Sequence, residues 1–163
     1  MKFDSSLVGE ILIDNYNREG RIVDVSKEGN LRIRFKGNFH DVLLTKEFSF
    51  CCLFSRHFRI KNPQIQEELE NDLEKEHQKQ LCEIEKYFAN ENDTADFYIT
   101  KDNDNGSREI IYKLKCEINQ ATEIMNLLIL EQQREYSISH YTKKWRTIRL
   151  FDSETNIQLY QES

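Results

Sequence analysis

Proline occurs once in this chain of 163 residues and glycine five times. No interior linker rich in Gly, Pro or Ser follows from that, and no internal repeat or low-complexity tract is visible. No run of 18 apolar residues exists, so no membrane-spanning helix and no membrane partner are expected. Met1-Lys2-Phe3-Asp4-Ser5 lacks the apolar core of a secretion signal, which places the expected location in the cytoplasm. The four cysteines then read as reduced, buried structural thiols.

Catalytic motifs are equally scarce. Cys51 and Cys52 are adjacent, and His77 and Cys82 are five apart, so neither pair has a zinc-ligand spacing. Asp102-Asn103-Asp104-Asn105-Gly106 has the acids and glycine of a calcium loop. With Gly106 as sixth residue, however, Lys101 falls first and Tyr112 twelfth, where acidic ligands are needed. None of the 13 lysines has an acid two residues before it, as a restriction-type nuclease would. His40-Asp41 lies between strands rather than on a metal-binding helix. No phosphate-binding glycine loop and no Gly-x-Ser-x-Gly elbow occur. We therefore expect no enzyme, no metal and no cofactor.

What is present is a charge gradient. The net charge of −6 divides into +2 over residues 1–60, −5 over 61–92 and −3 over 93–163. That balance disfavours non-specific nucleic-acid binding by the whole chain, yet it permits a local basic face.

The pattern predicts an α+β fold in three parts: a small barrel over 1–61, a long acidic connector helix over 62–90, and a hairpin–helix–hairpin unit over 91–163. Leu31, Ile33 and Phe35 alternate with Arg32, Arg34 and Lys36, the period of a half-buried strand. Ile22-Val23-Asp24-Val25, Val42-Leu43-Leu44 and Phe48-Ser49-Phe50 read as further strands between short turns. Asn62 suits a helix N-cap and Pro63 the first helical position. Ile65, Leu69, Leu73, His77, Leu81, Ile84 and Phe88 then form one narrow helical stripe. Phe97–Ile99 and Ile110–Tyr112 flank Asn105-Gly106, a signal for a type I′ hairpin. Asn119 starts a second helix to about Arg134, and Arg146–Phe151 with Ile157–Tyr160 suggests a closing hairpin.

Three stretches carry a resemblance. Val8-Gly9-Glu10-Ile11-Leu12-Ile13, Tyr16-Asn17-Arg18-Glu19-Gly20-Arg21-Ile22 and Leu31-Arg32-Ile33-Arg34-Phe35 resemble an SH3/Tudor-like β-barrel module of Gram-positive multidomain proteins. Related barrels end some repair helicases and bind RNA polymerase in certain transcription regulators. Phe48 to Phe54 matches the module's last element, with Cys51 where proline is usual. Asn17 stands where glycine is usual, and asparagine tolerates the left-handed backbone. The resemblance spans about the first 85 residues and implies a barrel fold more than a function.

Two groups of side chains are candidates for binding. Glu70, Asp72, Glu74 and Glu76 crowd the long helix, with like charges at i,i+4 that cost helix stability and so suggest docking to a basic protein surface. Arg32, Arg34 and Lys36, with Lys143, Lys144, Trp145, Arg146 and Arg149, form basic segments suited to phosphate contact and base stacking. The first expectation is a non-enzymatic adaptor or inhibitor of a protein partner. A nucleic-acid-processing or defence enzyme met by a phage or mobile element is one such target. The alternative is a nucleic-acid-binding accessory protein using the barrel's basic face. The narrow helix seam also leaves room for a homo-oligomer.

Overall fold

The computed structural model describes residues 3–139 and 144–162. It is an α+β protein, with two antiparallel sheets and three α-helices among the described residues. The chain divides into two compact units, Met1–Gln78 and Lys79–Ser163.

In the first unit, strands β1 (Ile11–Asp14), β2 (Glu19–Val25), β3 (Leu31–Phe35) and β4 (Val42–Leu44) form a meander. Helix α1 (Lys46–Phe54) follows, and β5 (Phe58–Ile60) returns to pair with β1. The sheet order is β4-β3-β2-β1-β5, and no ladder joins β4 to β5 among the described residues. In β3, Leu31, Ile33 and Phe35 face inward and Arg32 and Arg34 outward, as the alternation predicts. Asn17 adopts φ +61° in the β1–β2 turn, where Asp14 Oδ1 accepts hydrogen bonds from the Tyr16 and Arg18 amides at 2.9 Å each.

Gly20 lies inside β2, and packing explains why it is glycine. A Cβ there would sit 2.6 Å from Ile33 Cγ2 and 3.0 Å from the Phe35 ring. Gly20→Ala should therefore cost about 1–3 kcal/mol, as overpacking does. Urea denaturation checks this, and an unchanged midpoint would refute the tight fit.

Phe48-Ser49-Phe50 is not a strand. It lies in α1, where the Thr45 hydroxyl caps the helix by accepting from the Phe48 amide at 3.2 Å. Ser49, Phe50, Leu53 and Phe54 are buried at helical spacing, and Phe48 points to solvent. The thiols also differ from expectation. Cys51 and Cys82 are exposed on helices, and Cys52 and Cys116 are half-buried.

Helix α2 (Pro63–Ile84) begins as the sequence suggests, with Asn62 Oδ1 accepting from the Gln64 amide at 3.2 Å. Leu69, Leu73 and His77 are buried along its stripe, and the His77 ring lies 4.4 Å from Phe54. Its end differs from expectation. A 3-10 turn (Glu85–Tyr87) stops it, and Phe88 bridges to Leu114 as extended chain, stacking on Tyr112 at 4.7 Å.

The second unit has strands β6 (Phe97–Asp102), β7 (Arg108–Leu114), β8 (Ile148–Asp152) and β9 (Gln158–Glu162) in the order β7-β6-β8-β9, with helix α3 (Ile118–Ile138) packed on β8 and β6. Ile99, Leu114, Ile124, Met125, Ile148 and Leu150 are central to its core. The β6–β7 turn is not type I′. Only Gly106 has positive φ, at +80°, and the Gly106 amide bonds Asn103 O. That is a three-residue loop with a left-handed glycine. Helix α3 starts at Ile118, with the Gln120 side chain accepting from the Glu117 amide at 2.8 Å, rather than being capped by Asn119.

Candidate functional site

The outer face of the first unit's sheet is built by register. Arg34 stands opposite Arg21, which stands opposite Ile11. In the next row the Lys36 amide bonds Glu19 O, Glu19 pairs with Ile13, and Ile13 pairs with Arg59. Arg32 lies opposite Asp24 on one side and Leu43 on the other. Their inward neighbours Leu12, Ile22, Ile33 and Phe35 are buried, so this set shares the solvent side. A groove of about 470 Å³ runs over it, with Arg21, Arg34, Lys36, Glu19, Val23 and Ile11 among its walls.

The electrostatics of this face are mixed. Arg34 makes two hydrogen bonds to Asp41, at 2.7 and 3.2 Å, and Arg32 lies 3.3 Å from Asp24 and 3.8 Å from Asp41. The Arg34 hydrogen bond is the largest influence on the Asp41 carboxyl and holds it below the usual carboxylate range. Lys61 contacts Glu19 at 2.6 Å, and that contact also lowers the Glu19 carboxyl. Arg21 and Arg59 are exposed and have no ion-pair partner among the described residues. Six cations, Arg21, Arg32, Arg34, Lys36, Arg59 and Lys61, thus share the face with three carboxylates, Glu19, Asp24 and Asp41. Sequence reasoning finds Arg32, Arg34 and Lys36 and misses Arg21, Arg59 and Lys61. The signal for Arg59 is weak because β5 has only three residues. The period around Arg21 is broken by the bulge between Ile22 and Asp24.

The second basic segment separates into parts. Lys144, Trp145 and Arg146 come together on a cavity of about 590 Å³ with Tyr136 and Glu135. Arg146 is tied to Asp104 at 3.0 Å, and Trp145 meets Tyr136 edge-on at 5.8 Å. Arg149 does not join them. Its side chain is 13% exposed and held by Asp102 at 2.6 Å. Lys143 lies outside the described residues.

The four acids of α2 do not form one exposed face. At about 100° per residue, Glu70 and Glu74 take one side and Asp72 and Glu76 another. Glu70 accepts from Arg56 at 2.9 Å and from Gln66 at 2.7 Å, which satisfies it within its own unit. Asp72 is exposed, 3.8 Å from Lys75, whereas Glu74 and Glu76 are half-buried.

Two further groups bear on chemistry. Ser55 Oγ lies 2.6 Å from His57 Nδ1 and 2.7 Å from Cys51 O. Ser55 is only 2% exposed, so this contact closes the C-terminus of α1 instead of presenting a nucleophile. Burial pushes the Cys52 thiol up to about 11, which keeps it protonated at neutral pH. Among the described residues no group of three or more His, Cys, Asp or Glu side chains is placed to hold a metal ion. None of the described helices is long and apolar enough to cross a membrane. No protein-family model, no curated protein and no solved structure matches the chain.

Proposed function

We propose that this chain is a non-enzymatic binding protein whose basic sheet face takes the phosphate backbone of a nucleic acid. One observation carries the reading: Arg21 is paired directly opposite Arg34 in the β2–β3 ladder. Like charges directly opposite each other destabilise an antiparallel pair, and aliphatic or mixed-charge pairs would strengthen it. A polyanion laid across the face converts that cost into binding. Arg21 and Arg59, without acidic partners among the described residues, supply free positive charge beside it. Local fields of this kind act even on a protein of net negative charge. The strand order, with β5 returning to β1, supports the SH3/Tudor-like reading of this unit, and the free cysteines support a cytoplasmic setting. An acidic-helix docking face for a protein partner has less support, because Glu70 is bound by Arg56 and the four acids split between two sides.

Asp41 tests the proposal. It neutralises part of Arg34 and Arg32, so Asp41→Asn should tighten binding. A unit charge removed from this distance predicts roughly a fivefold gain at low salt. Because Arg34 depresses the Asp41 carboxyl, the same release by protonation begins only below the ordinary value of 3.8. Fluorescence anisotropy of a labelled oligonucleotide across a salt series and a pH series measures both effects. No salt-dependent binding by the unaltered protein would overturn the proposal.

A further inference from the structure

The nucleic-acid face has a second feature that phosphate contact leaves unexplained. The β1–β2 and β3–β4 connections leave the sheet at the same end, because β1 to β4 form an antiparallel meander. Each connection holds an aromatic ring in water: Tyr16 is 75% exposed and Phe39 98%. Apolar rings gain by burial, so two of them left open on loops at one end of the sheet are available to a ligand.

The rings also join the groove. The Arg18 guanidinium lies 5.5 Å from the Tyr16 ring, and the next residue, Glu19, is a groove wall. Phe39 follows Asn38, another wall residue. Cations therefore run along the groove, and open rings stand at its end. A single strand uses both, with phosphates on the cations and splayed bases on the rings. A duplex keeps its bases stacked inside and offers those rings nothing.

Resting on the nucleic-acid reading above, we infer that the face is specific for single-stranded nucleic acid and that Tyr16 and Phe39 stack on its bases. The test is fluorescence anisotropy with labelled oligo-dT and oligo-U of about 12 nucleotides and with a duplex of equal length. The unaltered protein binds a single strand more tightly than the duplex. The double variant Tyr16→Ala, Phe39→Ala loses roughly tenfold or more in single-strand affinity and keeps its salt slope. Tyr16→Phe with Phe39→Tyr retains the rings and the affinity. The oligo-dT and oligo-U arms tell DNA from RNA, and tight binding of either supports the inference. Both rings are exposed, so melting temperature should not change in either variant. Equal binding of duplex and single strand, with no loss in the alanine variant, overturns the inference and leaves the basic face standing. Binding to neither oligonucleotide overturns both.

Discussion

Phe54→Ala should destabilise the protein by about 3–5 kcal/mol, the range for deleting a buried aromatic ring. Phe54 is 1% exposed, stacks on Phe50 at 5.7 Å and lies 4.4 Å from the His77 ring. Removing the ring strips α1 of its contact with Phe50 and α2 of its contact through His77. Phe48→Ala makes the control, since Phe48 is 54% exposed and its loss should stay within about 0.5 kcal/mol. The pair distinguishes two backbones for one sequence. A strand through Phe48-Ser49-Phe50 would place Phe48 and Phe50 on the same face and make Phe48→Ala costly. A helix places Phe50 with Phe54 and leaves Phe48 outside. Urea denaturation followed by circular dichroism reads both, and similar losses from the two substitutions would rule out the helix.

The second large effect concerns the basic face. Arg21→Glu combined with Arg34→Glu should lower affinity for nucleic acid by roughly a hundredfold or more at low salt. Two cations become two anions at adjoining positions of the β2–β3 ladder. The loss of two phosphate contacts should also flatten the plot of log K against log salt. The expected change is about 1.8 for a duplex and about 1.4 for a single strand. Arg59→Glu on β5 is a useful single-site comparison, with a smaller loss of the same kind. Folding should survive, since both side chains are exposed and exposed substitutions usually cost little. An unchanged affinity and slope would sink the assignment of this face.

Periodicity made some of this legible and hid the rest. Leu31, Ile33 and Phe35 announce β3 because five alternating residues leave only one face to bury. The start of α2 was equally plain, from Asn62 and Pro63, since capping is a local property. Its end was not, because Phe88 fits the helical stripe and is withdrawn from it by pairing with Leu114, a residue far along the chain. Helix α1 was hidden by three residues, Phe48-Ser49-Phe50, whose alternation mimics a strand. The start signal is Thr45, whose hydroxyl caps the helix. The binding candidates divide in the same way. That Arg32 and Arg34 point outward was readable, but their partner Asp41 comes from the following loop, and no pattern within β3 shows it. Likewise the acidity of Glu70 reads as an open face until Arg56, fourteen positions earlier, is found against it.

The return of β5 to β1 has a kinetic meaning. The β1–β2, β2–β3 and β3–β4 ladders join neighbours in sequence, so each forms by closing a short loop. The last ladder joins Leu12 to Ile60, across nearly the whole unit. Loop-closure entropy makes such a contact the slowest to be rewarded. The meander should assemble first, with one edge of β1 open until α1 has formed and delivered β5. Amides of β5 should therefore gain protection from pulse-labelled hydrogen exchange later than those of β3, and simultaneous protection would exclude this order of assembly. Until that final pairing, the open edge of the sheet is the four-residue β1 instead of the three-residue β5, and that longer edge is a better template for joining another copy of the chain.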